Sequence, residues 1–256
     1  MSQLLAGKRA LILGIANKWS LAYTIAKAFS REGARLVLTY LGEHQKEALE
    51  SLAEGLNVEA AVPCDVTRDE DLEGLSRALG ALDGPLDSVV HSLAFANRDD
   101  LTGDFVSTSR DGFLLAQNVS AYSLVAVARA AAPHMTEGGS VTTLTYLGSV
   151  RVVPHYNVMG VAKASLEASV RYLASDLGPS GIRVNGISAG PVKTASARAI
   201  KDFSSVLDTV AKRSPLRRTT DPAEVADTAV FLASSLGRGV TGNVVYVDSG
   251  LQIMGL

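Results

Sequence analysis

Tyr156 and Lys163 are the residues of this sequence whose types and spacing could do chemistry. They stand seven positions apart, about two turns of an α-helix, so a helix would present both on one face. A lysine ammonium close to a tyrosine favours the phenolate, which predicts a tyrosine that donates its proton readily and stabilises an oxyanion. The alternative is a half-buried tyrosine beside a surface lysine, which spacing alone does not exclude.

Two further positions could bind a nucleotide. Gly14 follows a short apolar run and precedes Ser20, which could cap a helix. A glycine there lets the backbone turn beneath a pyrophosphate, although the G-x-G-x-x-G pattern is absent and an ordinary strand–helix turn competes. Asp65, before Val66, could accept a hydrogen bond from an adenine amino group, or cap a helix with its neighbours, or do both.

Alternating strand and helix patterns would position these residues. Apolar runs predict strands at residues 10–13, 35–39, 58–62, 88–91, 140–144, 182–187 and 243–247. Helical spacing and caps predict helices at residues 21–31, 43–54, 69–82, 116–135, 158–177 and 222–234. This alternation implies an α/β fold: a doubly wound, Rossmann-type parallel sheet whose ligand lies beyond the carboxyl ends of the strands.

Residues 192–215 fit the alternation worst, and we interpret them as one or two short helices laid over the site as a substrate lid. The 256 residues suit one large domain, and no linker or repeat interrupts them. We therefore expect a single dinucleotide-binding catalytic domain over residues 1–256.

The composition argues against several protein classes. The net charge of −2 provides no basic field for nucleic acid or an acidic membrane surface. Cys64 is the only cysteine, so neither an internal disulfide nor a cysteine metal cluster can form, and we expect no metal. The N-terminus lacks a signal-peptide pattern, and no apolar stretch reaches the roughly 20 residues of a membrane helix. We expect a cytoplasmic protein without nucleic-acid or membrane partners.

The whole chain resembles the short-chain dehydrogenase/reductase family. The similarity rests on Asn118 in the long predicted helix and on residues 184–191 and 241–250. The family's usual tyrosine stands four residues before the lysine, where this chain has Met159. Its usual serine stands seventeen before the lysine, where this chain has Tyr146. A typical hydroxyl or carbonyl oxidoreductase should not work with this constellation.

One branch of that family departs in the same way: the bacterial enoyl-acyl-carrier-protein reductases of the NADH-linked short-chain type. They carry a tyrosine, a second tyrosine ten residues later and a lysine seven after that, and Tyr146, Tyr156 and Lys163 match this pattern. Residues 14–20, 91–96 and 188–191 are also similar, and the resemblance runs from about Leu5 to the C-terminus.

The resemblance implies that hydride from NADH reduces a trans-2-enoyl thioester in fatty acid elongation. Tyr156 would donate a hydrogen bond to the thioester oxygen, Lys163 would hold the nicotinamide ribose, and Tyr146 would assist the oxyanion or merely wall the pocket. The expected cofactor-binding residues are Gly14, Ser20, Leu21, Asp65, Val66, Ser92, Leu93, Ala94, Lys163, Val192 and Thr194. The expected substrate-binding residues are Phe95, Ala96, Tyr146, Tyr156, Met159, Ile200 and Phe203.

The end of the second strand favours NADH over NADPH. In dinucleotide folds a carboxylate there binds the ribose 2′-hydroxyl of NADH, whereas an arginine pairs with the 2′-phosphate of NADPH. Neither an acid nor a base occupies residues 40–42. Glu43 is the nearest charge and would repel a phosphate if it points inward. Lys46 is one turn further along and could reach a phosphate only if its side chain folds back toward the strand.

The resemblance also implies two partners. Acyl carrier protein is acidic, and the lid region has an excess of basic side chains that could bind it, although solvated surface charge explains any one of them equally well. These side chains are Lys193, Arg198, Lys201, Lys212, Arg213, Arg217 and Arg218, against Asp202 and Asp208. The long apolar helices at 116–135 and 158–177 would pack against their copies in a homotetramer.

Two rival functions remain open. A carbonyl or hydroxyl dehydrogenase would share the fold, but Met159 in the tyrosine position argues against it. A non-catalytic NAD(H)-binding sensor would also share the fold. Such a sensor has no need of Tyr156 and Lys163 together with a lid.

Overall fold

A parallel β-sheet organises the fold, in a computed structural model that describes residues 3–192 and 203–255. Within these residues the sheet has seven strands in the order β3-β2-β1-β4-β5-β6-β7, with neighbours parallel. The strands are β1 Arg9–Leu13, β2 Arg35–Tyr40, β3 Val58–Pro63, β4 Ser88–His91, β5 Gly139–Thr145, β6 Ile182–Ala189 and β7 Val244–Val247. The predicted doubly wound, Rossmann-type α/β fold is confirmed.

The strand order reverses between β1 and β4. The chain runs outward from β1 to β3 and then returns to place β4 on the other side of β1. The connections therefore leave the two central strands in opposite directions, which opens a crevice beyond their carboxyl ends. Leu13 and His91, the last residues of these strands, lie side by side in register.

Helices cover both faces of the sheet. They are α1 Leu21–Arg31, α2 Glu43–Ala53, α3 Asp69–Gly80, α4 Arg98–Leu101, α5 Arg110–Gln117, α6 Ser123–Ala131, α7 Asn157–Leu177, α8 Phe203–Arg213 and α9 Pro222–Ala233. One apolar layer joins α1, α2 and α9 to the sheet, and the other joins α3, α6 and α7 to it. Strands buried on both faces explain why the sequence shows continuous apolar runs instead of alternation.

Two predicted helix starts are confirmed by their caps. Ser20 Oγ accepts a hydrogen bond of 3.3 Å from Tyr23 N, and α1 then occupies the predicted residues 21–31. At α9, Asp221 Oδ1 accepts from Ala223 N at 2.9 Å while Glu224 Oε2 accepts from Asp221 N at 3.0 Å. Both arrangements satisfy backbone donors that a helix leaves free at its first turn.

The helix predicted at 116–135 is not one regular helix. It begins earlier, at Arg110, because Ser109 Oγ accepts from Gly112 N at 3.0 Å and caps α5. A π-turn, Asn118–Tyr122, separates α5 from α6, and Ser123 Oγ donates to Val119 O at 2.7 Å beside it. Serine hydroxyls that bind backbone carbonyls compete with regular helical bonding, and the 3₁₀ turn Ala132–His134 then ends the run.

The predicted lid at 192–215 is described in part. Residues 193–202 lie outside the described residues, and α8 supplies a helix over the following segment. None of the helices in the described ranges is long and apolar enough to cross a membrane.

Candidate active site

A cleft of about 610 Å³ opens at the carboxyl ends of the strands, at the switch between β1 and β4. It gathers most of the site residues expected from the sequence, although the chain brings them from four strand ends and two helices. Those that line it are Gly14, Ser20, Leu21, Asp65, Val66, Ser92, Leu93, Ala94, Phe95, Tyr146, Tyr156 and Lys163. The structure therefore brings the predicted nucleotide-binding and catalytic residues together.

The turn at Gly14 can hold a phosphate group. Its φ is +98°, and a Cβ on this residue would overlap the backbone carbonyl oxygen of Ser92. Ser92 N donates to Leu13 O at 3.2 Å, which holds the two strand ends together at this point. Only glycine fits here, and the N-terminus of α1 that follows attracts an anion. These residues fit the pyrophosphate of a dinucleotide.

Asp65 lines the cleft, but its carboxylate is already engaged. Its Oδ1 accepts from Thr67 N at 2.9 Å and from Thr67 Oγ1 at 2.7 Å. Asp65 N in turn donates to Asp71 Oδ2 at 2.8 Å. The expected helix cap is wrong in detail, because Asp65 closes the turn before α3 and Arg68 occupies the N-cap position without a side-chain bond. A contact with adenine stays a prediction.

Tyr146 and Tyr156 pack edge to face, with ring centroids 5.0 Å apart and planes at 71°. Gly148 lies against the Tyr156 ring so closely that a Cβ would overlap it, which explains why a glycine stands in this loop. Burial raises the pKa of both phenols, and the neighbouring Tyr146 and Glu167 raise that of Tyr156 further. Both tyrosines therefore stay protonated at neutral pH and can act as hydrogen-bond donors.

Lys163 lies at the base of the cleft and is buried. Its Nζ donates to Leu144 O at 2.8 Å. Burial lowers the pKa of Lys163 to about 8, against an opposing effect of the Glu167 charge. At pH 7 the side chain remains mostly an ammonium, and it can bind hydroxyl groups in the cleft.

The expected effect of Lys163 on Tyr156 is corrected by the structure. A nearby ammonium was expected to favour the phenolate of Tyr156. Instead the pKa of Tyr156 is raised, because burial disfavours the phenolate. The Lys163 ammonium donates one hydrogen bond to the backbone of β5. Tyr156 is thus a neutral hydrogen-bond donor, and Lys163 has a separate role.

Phe95, the first of the residues expected to contact the substrate, lines the cleft and is 52% exposed. Ser120 Oγ, in the π-turn, accepts from Phe95 N at 2.9 Å and donates to Phe95 O at 3.0 Å, fixing this loop. Ala96 and Met159 pack with Tyr156 in a small apolar cluster beside the cleft. Met159 thus has core-like surroundings, and its contact with an acyl chain stays a prediction.

The remaining expected site residues belong to the lid. Val192 is buried at its start. Thr194 and Ile200 lie outside the described residues. Phe203 is the first residue of α8, and the structure describes its backbone but not its side chain.

The cleft extends beyond the end of β2, where the sequence placed the contact with the adenosine ribose without naming Gln45. Tyr40, Leu41 and Gln45 line it there, and Gln45 Oε1 accepts from Leu41 N at 3.0 Å. Lys46 Nζ lies 3.6 Å from Glu43 Oε2, so the nearest basic group is paired with the nearest acid. The side-chain amide of Gln45 gave no signal, because nothing in its spacing distinguishes it from a surface helix residue.

Comparison with known proteins agrees with this geometry. The family model described as Enoyl-(Acyl carrier protein) reductase matches residues 14–252. The enoyl-(acyl-carrier-protein) reductase (NADH) FabI of Bacillus cereus is 56% identical over 255 residues, 99% of this chain and 100% of that protein. The corresponding NADPH-named protein of Staphylococcus aureus (strain MRSA252) is 50% identical over 250 residues, 97% of this chain and 98% of that protein.

A solved structure is equally similar. The crystal structure of the Bacillus cereus enoyl-acyl carrier protein reductase with NADP⁺ and indole naphthyridinone has a TM-score of 0.97 at 56% identity. The match covers 99% of this chain and 100% of that one. The similarity therefore extends over the strands, the helices and the cleft alike.

Replacing Gly14 with alanine should weaken NADH binding by at least about tenfold, because the Cβ would force Ser92 and the phosphate-binding turn apart. Gly7→Ala is the matched control, since Gly7 also has a positive φ, +75°, but no atom within 4 Å of its would-be Cβ. Fluorescence titration with NADH measures both affinities. Equal affinities in the two variants would contradict this role of Gly14.

Proposed function

The chain belongs to the enoyl-(acyl carrier protein) reductase family, and we propose the following reaction for its cleft. It reduces trans-2-enoyl-acyl-carrier-protein thioesters to saturated acyl thioesters with NADH, in fatty acid elongation. One observation carries the proposal: Tyr146 and Tyr156 pack at 5.0 Å in the cleft that Lys163 also lines. Residues 1–256 form one catalytic domain in this proposal, with residues 192–215 as its lid.

Tyr156 is the oxyanion donor of the proposed reaction. NADH, when bound, supplies the hydride that reduces the β-carbon of the enoyl thioester. Negative charge then develops on the thioester oxygen, until a proton added at the α-carbon completes the reduction. The phenol of Tyr156 donates a hydrogen bond to that oxygen. A donor of this kind contributes roughly 3–4 kcal/mol to transition-state stabilisation. Its raised pKa supports the role, since the phenol keeps its proton at physiological pH.

Lys163 and Tyr146 have supporting roles. Lys163 holds the nicotinamide ribose hydroxyls with the ammonium donors that Leu144 leaves free. Tyr146 walls the pocket and orients Tyr156, a role that its edge-to-face packing supports. Phe95, Ala96, Met159, Ile200 and Phe203 surround the acyl chain.

The cofactor is NADH. Lys46 is engaged with Glu43, and Tyr40, Leu41 and Gln45 line the cleft where a 2′-phosphate would need a basic partner. Removing that phosphate from water without a basic partner is unfavourable, so the protein should bind NADPH more weakly than NADH. The Staphylococcus aureus relative is named for NADPH, so the preferred cofactor differs within the family and has to be measured for each protein.

Acyl carrier protein is the proposed macromolecular partner, docking beside the lid. Some of the expected basic side chains are occupied: Arg218 pairs with Glu224, and Arg213 Nη2 donates to Gly255 O at 2.9 Å. Lys193, Arg198 and Lys201 lie outside the described residues.

We also place the reaction in the cytoplasm, in keeping with a chain whose single thiol, Cys64, is buried and free.

A homotetramer is the proposed assembly. Apolar side chains remain exposed along α5 and α7 in the single chain, among them Leu114 and Val161. Exposed apolar surface of this kind favours packing against further copies.

Replacing Tyr156 with phenylalanine should lower kcat roughly 100- to 1,000-fold with little change in the Kd for NADH, because the ring stays and only the donor is lost. Tyr172→Phe removes a hydroxyl from the same helix at a position 76% exposed, and should leave kcat unchanged. Steady-state kinetics with an enoyl thioester measure both. Near-wild-type kcat in Tyr156→Phe would refute the oxyanion role.

The kcat/KM on one enoyl thioester should be higher with NADH than with NADPH. A preference for NADPH of tenfold, about 1.4 kcal/mol in transition-state binding, would overturn the assignment. It would point to a basic group acting on the 2′-phosphate.

Light scattering of the purified protein should give the mass of four copies of the 26.7 kDa chain. Packing against further copies should also slow amide hydrogen exchange in α5 and α7. A monomer at micromolar concentration would reject the tetramer.

A further inference from the structure

Glu167 is a buried carboxylate that the proposed reaction leaves without a role. It follows Lys163 by one turn of α7 and is 7% exposed. Its Oε1 accepts a hydrogen bond of 2.6 Å from Thr145 Oγ1 on β5. A buried carboxylate costs stability unless hydrogen bonds and an opposite charge compensate it, so its presence beside the cleft calls for a reason.

Lys163 supplies the opposite charge. Residues four apart on a helix lie side by side, so the ammonium and the carboxylate share one face of α7. They bind consecutive residues of the same strand, because Lys163 Nζ donates to Leu144 O and Glu167 accepts from Thr145. Burial lowers the pKa of Lys163 to about 8, and the Glu167 charge opposes that lowering.

Other titratable groups surround this pair from the neighbouring elements. They are His91 at the end of β4, Tyr146 and Tyr156 at the cleft, Tyr246 on β7 and Asp248 directly after it. Burial lowers the pKa of His91 to about 3 and raises the pKa of the three tyrosines, so these four groups are neutral at physiological pH. The Asp248 carboxylate accepts from Gly250 N at 2.9 Å and Gln252 N at 2.8 Å within its own turn.

We propose that Glu167 is a positioning residue for the reaction: held by Thr145, it supplies the countercharge that keeps the Lys163 ammonium directed into the cleft. The inference rests on the proposed role of Lys163 in holding the nicotinamide ribose. Glu167 acts only through Lys163. An ammonium offers three donors and a charge to the ribose hydroxyls, whereas a neutral amine holds them less strongly.

The direction of the pH effect follows from the charges. The Glu167 carboxylate favours the charged form of Lys163, so removing it lowers the pKa of Lys163 further below about 8. NADH affinity is full while Lys163 is charged and declines as rising pH removes the proton. In a variant without the carboxylate, the decline begins at lower pH than in the wild type.

The test is the Kd for NADH, titrated by fluorescence from about pH 6 to about pH 9 in the wild type, Glu167→Gln and Glu167→Met. The pH at which half the affinity is lost should move down by about one unit or more in both variants. At the acidic end all three proteins should bind alike. Methionine needs no buried hydrogen-bond partner, so Glu167→Met keeps the test readable if the glutamine variant unfolds.

Two controls separate the inference from the proposed function. Glu73→Gln removes a carboxylate whose side chain is 72% exposed and should leave the pH profile unchanged. Lys163→Ala should bind NADH weakly with a flat profile, and a wild-type profile there would overturn the role of Lys163 and this inference with it. Wild-type profiles in both Glu167 variants beside a weakened Lys163→Ala would overturn the inference alone, leaving Glu167 as a tie between α7 and β5.

Discussion

The packing of α7 against the carboxyl end of β5 holds the proposed catalytic groups of this protein in place. The last two residues of the strand and the residue after it make the contacts. Leu144 accepts from Lys163, Thr145 donates to Glu167, and Tyr146 packs on the ring of Tyr156, which precedes the helix. β5 itself lies between β4 and β6. Because Leu144 and Thr145 are paired with Ile187 and Ser188 of β6, the proposed catalytic groups share the rigidity of the sheet.

The second side of the cleft depends on neutral polar contacts around the π-turn. His91, at the end of β4, hydrogen-bonds Thr143 Oγ1 on β5 and Ser123 Oγ beside the π-turn, each at 2.8 Å. Burial lowers the pKa of His91 to about 3, so it stays neutral and these bonds persist through the physiological range. Ser120 then holds the backbone of Phe95. The irregular helix thus positions the Phe95 loop that lines the cleft.

The sequence predicted the elements with strong local signals and missed those set by distant contacts. The bounds of α1 and β4 match to the residue, since Ser20 caps the first and a short apolar run defines the second. The π-turn was invisible because Ser123 is an ordinary helix residue until its partners are known. The acidity of Tyr156 was misjudged because spacing reveals a nearby charge but not burial. Glu167 stood one turn after Lys163 and resembled a surface acid.

The central claim is that this cleft reduces a carbon–carbon double bond and not a carbonyl group. Met159 is packed in an apolar cluster, and Tyr146 is packed on Tyr156. The most direct measurement is NADH consumption by the wild-type protein with a trans-2-enoyl thioester and, separately, with the β-ketoacyl thioester of the same chain length. Rapid consumption with the enoyl thioester and none above background with the ketone is the predicted result. Faster consumption with the ketone would contradict the claim and make the protein a carbonyl reductase.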